Sequence, residues 1–103
     1  MKNKYFVGID GGATKTIGVL FNQDGDTLSS HMDLGSNLAV DEEKSANLIV
    51  NLINSLIEKS KISIDKISSI GIGLAGASNE RGRERLFGLL DNLNLSEKTI
   101  ITN

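Results

Sequence analysis

The sequence predicts an α/β domain with a mixed five-stranded sheet. Three apolar, β-branched runs separated by turns come first and predict strands. Two further runs of this kind follow, and each is preceded by a segment whose apolar residues have helical spacing. The predicted order is therefore three antiparallel-linked strands followed by helix, strand, helix and strand. Because right-handed helical crossovers join parallel strands, we expect the last two strands to run parallel to the first.

The first three strands are separated by two turns. Residues 4–9, 16–21 and 27–34 are the runs that predict these strands. Asp24-Gly25 lies between the second and the third, and this dipeptide supplies the positive-φ positions of a tight hairpin turn. The chain is therefore expected to begin with two consecutive hairpins.

The first helix is predicted to begin after a break at residues 35–37. Asp41 is a suitable N-cap, and Glu42 and Glu43 put acids in the first turn, where the helix dipole favours them. The apolar residues that follow recur at intervals of three and four and form one stripe for packing on a sheet. They are Leu48, Ile49, Leu52, Ile53, Leu56 and Ile57.

The rest of the chain predicts a strand, a helix and a final strand. Residues 67–74 form a buried, glycine-rich run, and residues 99–102 form the last short one. Between them a second helix begins with Ser78 or Asn79 as its cap. We see no repeat and no internal linker, so residues 1–103 are predicted to form a single domain.

The first turn, within the sequence GIDGGATKT, carries the strongest functional signal. Gly11 and Gly12 allow positive φ and leave room for backbone N–H groups to approach a phosphate oxygen. Thr14 adds a hydroxyl and Lys15 a compact positive charge, and both suit phosphate. Asp10 is a hard oxygen ligand of the kind that Mg²⁺ binds. The turn therefore predicts a site for metal-bound phosphate.

Two alternative structures explain this turn less well. A plain hairpin would explain the glycines, with Asp10 accepting turn hydrogen bonds, but it gives no reason for Thr14 and Lys15. A Walker A loop does not fit, because no Gly-Lys-Ser/Thr follows a first glycine at the required spacing. We therefore favour a phosphate loop that caps a hairpin.

Composition argues against several classes of partner and site. Lys and Arg number 11 against 13 Asp and Glu, and a net charge of -2 gives no general attraction to nucleic acid or anionic membranes. The absence of cysteine excludes disulfides and thiolate metal sites within the chain. With no signal-peptide core and no run of about 18 apolar residues, we expect a cytoplasmic protein that binds small molecules.

A second glycine motif, residues 71–76, formally matches the dinucleotide-binding pattern G-x-G-x-x-G. In that motif an acid ends the next strand, whereas Asp91 falls inside or at the end of the second predicted helix. Gly71 and Gly73 also lie within the predicted strand, where they allow a helix, a ligand or a second lobe to approach. Gly76 follows this strand and lies at the same edge of the sheet as the first turn.

Four motifs together resemble the N-terminal lobe of the BadF/BadG/BcrA/BcrD-type ATPase family, nearest to its N-acetylglucosamine kinase branch. They are GIDGGATKT at 8–16, GSN at 35–37, GLAGAS at 73–78 and IITN at 100–103. This family belongs to the actin-like, sugar-kinase superfamily. The resemblance covers the whole chain and implies a ribonuclease H-like lobe, with ATP and Mg²⁺ held between two such lobes.

The resemblance also implies roles for individual residues. Asp10 would bind the magnesium ion. Asn37 would contact the hydroxyls of an amino sugar. Its place before a helix fits a turn residue equally well. Gly76 is the second residue that we expect at the substrate-binding site. The residues that would contact the ATP phosphates are Gly11, Gly12, Ala13, Thr14 and Lys15.

The resemblance places the general base outside this sequence. In the kinase branch the catalytic aspartate directly follows the fifth strand, which would make it the residue after Asn103. The second lobe, which would grip adenine and close over the substrate, is also missing. We therefore expect these residues to be a fragment of a larger kinase, inactive alone. The face left exposed by the missing lobe would favour a homodimer or aggregation.

Two other functions remain open. The dehydratase-activating ATPases of the same broad family couple hydrolysis to electron transfer through an iron–sulfur cluster, whose cysteines would lie in the missing half. The second alternative is a regulatory or structural lobe that binds a partner without turnover. ADP release that depends on a sugar acceptor would distinguish a kinase from both.

Overall fold

The computed structural model describes residues 3–103 and contains the predicted elements in the predicted order. These are β1 (Tyr5–Gly11), β2 (Lys15–Asn22), β3 (Thr27–Leu34), α1 (Glu42–Ser60), β4 (Ile67–Leu74), α2 (Glu80–Asp91) and β5 (Thr99–Thr102). A single 3-10 turn precedes each of the last two strands, at residues 64–66 and 96–98. The strands form one mixed sheet in the order β3-β2-β1-β4-β5.

The pairing of the strands brings four strand ends to one edge of the sheet. β1 pairs antiparallel with β2, and β2 antiparallel with β3. β4 runs parallel to β1, and β5 parallel to β4, as predicted. The carboxyl ends of β1, β3, β4 and β5 therefore lie at the same edge, which we call the rim.

Both helices start at the capping residues that the sequence suggests. The Asp41 carboxylate accepts a hydrogen bond from the Lys44 amide at 3.0 Å. Of the two candidates for α2, Asn79 is the cap, and its Oδ1 accepts from the Gly82 amide at 2.8 Å. Neither helix combines the length and the apolar character that a membrane crossing would need.

One core lies between the helices and a single face of the sheet. Side chains alternate along a strand, so every second residue of β1, β2 and β4 points into this core. A Cβ at Gly18 would meet Leu52 Cδ2, so the glycine lets α1 approach β2 closely. The largest buried side chains are Leu20, Leu38, Ile49, Leu52, Ile53, Leu56, Ile67, Ile70, Ile72, Leu74, Leu86 and Leu90.

The opposite face of the sheet carries no helix within residues 3–103, and we call it the open face. It is largely apolar, and three of its large side chains are well exposed: Met32 (64%), Leu34 (68%) and Ile100 (70%). By alternation along the strands, its members also include Phe6, Gly8, Asp10, Ile17, Val19, Phe21, Gly71 and Gly73.

Candidate functional site

The rim is a small network in which the segments following the strands hold one another in place. The Ala75 amide donates to the Gly11 carbonyl at 2.9 Å, and the Ser36 amide donates to the Gly12 carbonyl at 2.9 Å. The Leu38 amide in turn donates to the Ala75 carbonyl at 2.9 Å. The loop between β1 and β2 (residues 12–14, the β1–β2 loop) is therefore fixed from both sides.

This loop leaves hydrogen-bond donors free. The Gly12 amide is used within the hairpin, where it donates to the Lys15 carbonyl at 3.0 Å. The Ala13 and Thr14 amides donate to no protein acceptor in the described part of the chain, and both residues are exposed. Two backbone N–H groups, the Thr14 hydroxyl and the Lys15 ammonium are thus available to an anion.

Neither Gly11 nor Gly12 uses the positive φ that the sequence analysis associated with them. Among the glycines of residues 3–103, positive φ occurs at Gly25 and Gly76, and not at Gly11 or Gly12. Gly11 is required by space instead, because a Cβ there would lie 2.5 Å from Leu74 Cδ1 and 2.9 Å from Ser36 Oγ. The glycine lets β4 and the segment after β3 close around the loop. At Gly25 the predicted positive φ is confirmed.

Asp10 lies at the rim on the open face. It pairs with Ile17 of β2 on one side and with Gly73 of β4 on the other, and its side chain is exposed. No ion pair joins it to Lys15 or to any other residue of the described chain. The carboxylate is therefore free to bind a cation.

These donors and this carboxylate fit a magnesium ion bound to phosphates. Mg²⁺ keeps several waters and needs only one or two protein carboxylates when a phosphate supplies the other ligands. Within residues 3–103 no three His, Cys, Asp or Glu side chains come together, so Asp10 could hold such an ion only with phosphate and water as further ligands. Lys15 follows the same alternation as Ile17 and thus emerges beside Asp10 on the open face.

The structure brings the two predicted substrate residues, Asn37 and Gly76, into contact. A Cβ at Gly76 would collide with Asn37 Oδ1 and would lie 2.9 Å from the Leu38 amide nitrogen. Gly76 also has φ of 76°, in the region that favours glycine. Its identity is therefore explained by backbone geometry.

Asn37 is a turn residue, which was one of its two predicted roles. Its Oδ1 accepts from the Ala39 amide at 2.9 Å, and its backbone N–H donates to Ser45 Oγ at 2.9 Å. These bonds tie the end of β3 to the first turn of α1. Nδ2 of Asn37 makes no hydrogen bond within the described residues, so this group can still donate to a ligand.

Sequence reasoning missed a buried hydroxyl pair beneath the loop. Thr16 Oγ1 and Ser36 Oγ lie 2.8 Å apart, and both residues are buried. It also missed Arg83 of α2, whose Nη1 donates to the carbonyls of Ala77 at 3.3 Å and Ile101 at 3.2 Å. Thr16 and Ser36 stand in quoted motifs, but nothing in those motifs indicates that the two side chains meet.

A depression of about 360 Å³ lies beside the loop. It is lined by Ala13, by residues 35–37 and, around the start of α1, by Val40, Asp41, Lys44 and Ser45. A larger one of about 480 Å³ lies at the opposite edge of the sheet, between Tyr5, Asp65 and their neighbours. We place the site at the rim, because the free donors and the unpaired carboxylate are there.

The dinucleotide-binding motif fails in the structure as expected. Gly71 and Gly73 lie inside β4, and Asp91 is the last residue of α2. No acid ends the next strand, β5 (Thr99–Thr102), where the motif would need it.

The family described as the BadF/BadG/BcrA/BcrD ATPase family matches residues 7–87 of this chain. The chain belongs to this family. The match extends from the middle of β1 to α2, so it includes the β1–β2 loop and the segments that follow β3 and β4. No curated protein sequence matches the chain.

Three solved structures have folds similar to that of this chain. A protein from Chromobacterium violaceum, provisionally assigned as an N-acetylglucosamine kinase, is 20% identical with a TM-score of 0.69, over 96% of this chain and 34% of that one. Gluconate kinase from Lactobacillus acidophilus is 25% identical with a TM-score of 0.57, over 70% and 15%.

The third is the activator of 2-hydroxyisocaproyl-CoA dehydratase from Clostridium difficile, with bound ADPNP. It is 19% identical with a TM-score of 0.53, over 73% of this chain and 25% of that one. The predicted fold class is confirmed, since these are actin-like, ribonuclease H-like ATPase folds. This chain spans about a third or less of the length of each structure.

Proposed function

We propose that this chain is the N-terminal lobe of an ATP-dependent sugar kinase of the N-acetylglucosamine kinase type. The complete enzyme would transfer the γ-phosphate of ATP to a sugar hydroxyl. The observation that carries the proposal is the exposed Asp10 carboxylate beside a fixed loop whose Ala13 and Thr14 amides are free. Family membership supports the use of ATP.

Each group at the rim has a distinct task in this proposal. The free amides of Ala13 and Thr14, the Thr14 hydroxyl and the Lys15 ammonium would hold the phosphates. Gly11, the last residue of β1, lets Leu74 and Ser36 close beside the loop, and Gly12 is the first residue of the loop. Asp10 would hold Mg²⁺, which when bound neutralises phosphate charge.

The acceptor would lie next to the phosphates. Asn37 Nδ2 is the free donor on that side, and Gly76 holds the segment after β4 against Asn37. A hydroxyl or amide oxygen of an amino sugar can accept from Nδ2. Asn37 would therefore orient the acceptor, with its own side chain fixed by the Ala39 amide.

We further propose that these residues form one lobe of a longer cytoplasmic protein. The chain spans 34% of the Chromobacterium violaceum structure, which leaves room for a second lobe. Phosphoryl transfer depends on positioning and on charge stabilisation from both sides of a cleft, so the isolated lobe would bind nucleotide without turnover. The general base would follow Asn103.

A second function has its own support. The activator of 2-hydroxyisocaproyl-CoA dehydratase shares the fold and contains bound ADPNP, so an ATPase without a sugar acceptor is the alternative. The longer gene product would be given Mg-ATP with N-acetylglucosamine, with glucose or with no acceptor, and ADP release would be followed. Release that depends on the amino sugar supports the kinase, and release without an acceptor supports the alternative.

Nucleotide binding by the 103-residue chain tests the site itself. We expect Lys15→Ala to weaken binding of Mg-ATP by about tenfold or more in calorimetry, since a hydrogen bond to a charged group is worth about 1.5–3 kcal/mol. Lys66→Ala, an exposed lysine at the opposite edge, is the control. Asp10→Asn should weaken binding with magnesium present and have little effect in EDTA. Equal effects of the two lysine substitutions would contradict the proposed site.

A further inference from the structure

Arg83 of α2 joins two segments that reach the rim from different strands. Its Nη1 donates to the Ala77 carbonyl at 3.3 Å, in the segment between β4 and α2, and to the Ile101 carbonyl at 3.2 Å, in β5. Both acceptor residues are buried. One nitrogen with two hydrogens therefore connects β5 near its carboxyl end to the neighbouring segment of the rim.

The guanidinium of Arg83 is directed at these carbonyls although two carboxylates are near. Glu80 and Glu84 line a depression of about 280 Å³ together with Arg83 and Phe87. Within residues 3–103 neither carboxylate forms an ion pair with Arg83. Its Cζ lies over the Phe87 ring instead, 5.9 Å from the centroid, where a cation–π contact holds the planar group in place. The arrangement thus fixes the direction of the N–H groups.

The carboxyl end of β5 depends on this link. β5 is a four-residue strand at one edge of the sheet, and β4 is its single partner strand within the described residues. Its first residue is held by a further bond, from Thr99 Oγ1 to the Leu95 carbonyl at 2.8 Å. For residues 100–103 the side-chain hydrogen bond that the structure describes is the one from Arg83. Removing it would leave this part of the backbone held by its pairing with β4.

The segment that Arg83 holds also contacts the β1–β2 loop. The Ala75 amide, two residues before the Ala77 carbonyl, donates to the Gly11 carbonyl at 2.9 Å. The loop is held from its other side by the Ser36 amide, and Arg83 takes part in neither of these bonds. Loss of the guanidinium should therefore leave the loop in place and release the end of β5 from it.

We propose that Arg83 is a positioning residue that sets the distance between the carboxyl end of β5 and the phosphates held at the β1–β2 loop. The chain leaves β5 at the rim, which is the edge that carries this loop. The consequence for catalysis rests on the proposed function, in which the residue after Asn103 is the general base.

In that reaction the base takes the proton of the acceptor hydroxyl. The hydroxyl oxygen forms its bond to the γ-phosphorus, and the bond from the γ-phosphorus to ADP breaks. The reacting atoms must be held about 3–3.5 Å apart, and a displacement of about 1 Å can cost about 100-fold in rate. A shift of the end of β5 relative to the phosphates should therefore slow phosphoryl transfer.

The test measures steady-state kinetics of the longer gene product with Mg-ATP and N-acetylglucosamine. Arg83→Met keeps an unbranched side chain against Phe87 but removes every N–H donor. We expect kcat to fall by about tenfold or more while the KM for Mg-ATP stays within about twofold, because the β1–β2 loop keeps its own bonds. Arg83→Lys retains a charge and can donate to one of the two carbonyls, so it should recover part of the kcat. Arg85→Met, at an exposed position of the same helix, is the matched control and should change neither constant.

A measurement of the folded fraction separates positioning from loss of the fold. Calorimetric stoichiometry of Mg-ATP binding counts the folded molecules, and kcat is expressed per binding site. If Arg83→Met does not fold, Arg83→Lys carries the test, with a kcat below that of wild type and an unchanged KM for Mg-ATP.

Three results would overturn the proposal: an unchanged kcat in Arg83→Met, an equal fall in Arg85→Met, or a rise in the KM for Mg-ATP that accounts for the whole loss of kcat/KM. Failure of the proposed function is recognised separately in the wild type. ADP release without any acceptor would remove the kinase reaction and this role of Arg83 with it. Acceptor-dependent release that Arg83→Met leaves unchanged would overturn the role of Arg83 alone.

Discussion

The two faces of this sheet differ although the same strands build both. On the covered face Val7 and Ile72 are each 2% exposed and pack against the helices, whereas on the open face Met32 and Ile100 remain well exposed. Successive side chains of a strand point to opposite faces, so one residue packs in the core while its neighbour lies on the open face. The covered face contributes most of the buried apolar core, whereas no helix within residues 3–103 packs on the open face.

The site lies where the two faces meet at the rim. Asp10 belongs to the open face and keeps a free carboxylate, while its neighbour Gly11 belongs to the covered face and is buried under Leu74 and Ser36. A single peptide unit thus joins the exposed carboxylate of the candidate site to a residue of the packed core. This makes the position of Asp10 dependent on the packing of the covered face.

The largest expected effect is on the covered face. Leu52→Ala removes a fully buried side chain and should lower the free energy of unfolding by about 2–5 kcal/mol. Met32→Ala on the open face should change it by about 0.5 kcal/mol or less. Urea unfolding monitored by circular dichroism measures both. Similar losses at the two positions would mean that the open face is covered in the isolated chain.

The buried hydroxyl pair under the loop should come next. Thr16→Val leaves the Ser36 hydroxyl without its partner in a buried position, at a cost of about 1–3 kcal/mol. Adding Ser36→Ala to Thr16→Val should recover part of this loss, because no unpaired hydroxyl then remains. If the double variant lost more free energy of unfolding than the two single variants added together, a role for the pair would be contradicted.

A smaller effect is expected at the start of α1, the helix that covers β2 and β3. Asp41→Ala removes the N-cap bond to the Lys44 amide and should cost about 1 kcal/mol. Asn54→Ala, at an exposed position within the same helix, is the control and should be neutral or slightly stabilising. The difference between their urea midpoints reports the cap alone.

The smallest effect concerns Asp65, at the opposite edge of the sheet from the rim. The Ser63 hydroxyl donates to this carboxylate and lowers its pKa below the usual value, with help from a backbone hydrogen bond. A lowered pKa in the folded state stabilises above the unfolded-state pKa of about 3.9, and this contribution disappears as pH falls through the folded value. Melting curves of wild type and Ser63→Ala should therefore differ slightly at pH 6 and converge near pH 2.

Much of the fold could be predicted from local patterns. The bounds of β3, β4 and β5 are those predicted, and Asp41 caps α1 as expected. Alternation and helical periodicity are local properties, so they can be read directly from neighbouring residues. The prediction of a phosphate site at the first turn also rests on a local signal, since Asp10, Thr14 and Lys15 stand in one short run.

The structural roles of several residues could not be predicted from the sequence. Gly11 and Gly12 were expected to adopt positive φ, but Gly11 is needed because side chains from β4 and from the segment after β3 close on it. The Thr16–Ser36 contact joins residues 20 positions apart in sequence, and no local signal indicates it. Such contacts depend on the register of the sheet.

The sequence by itself determined the class of fold, the elements and the chemistry of the first turn, because these follow from composition and spacing along the chain. Only the tertiary structure decided which amides of that turn stay free, which face of the sheet remains uncovered and why residue 11 must be a glycine. The physical reason is that each of these is a matter of which distant groups occupy the surrounding space.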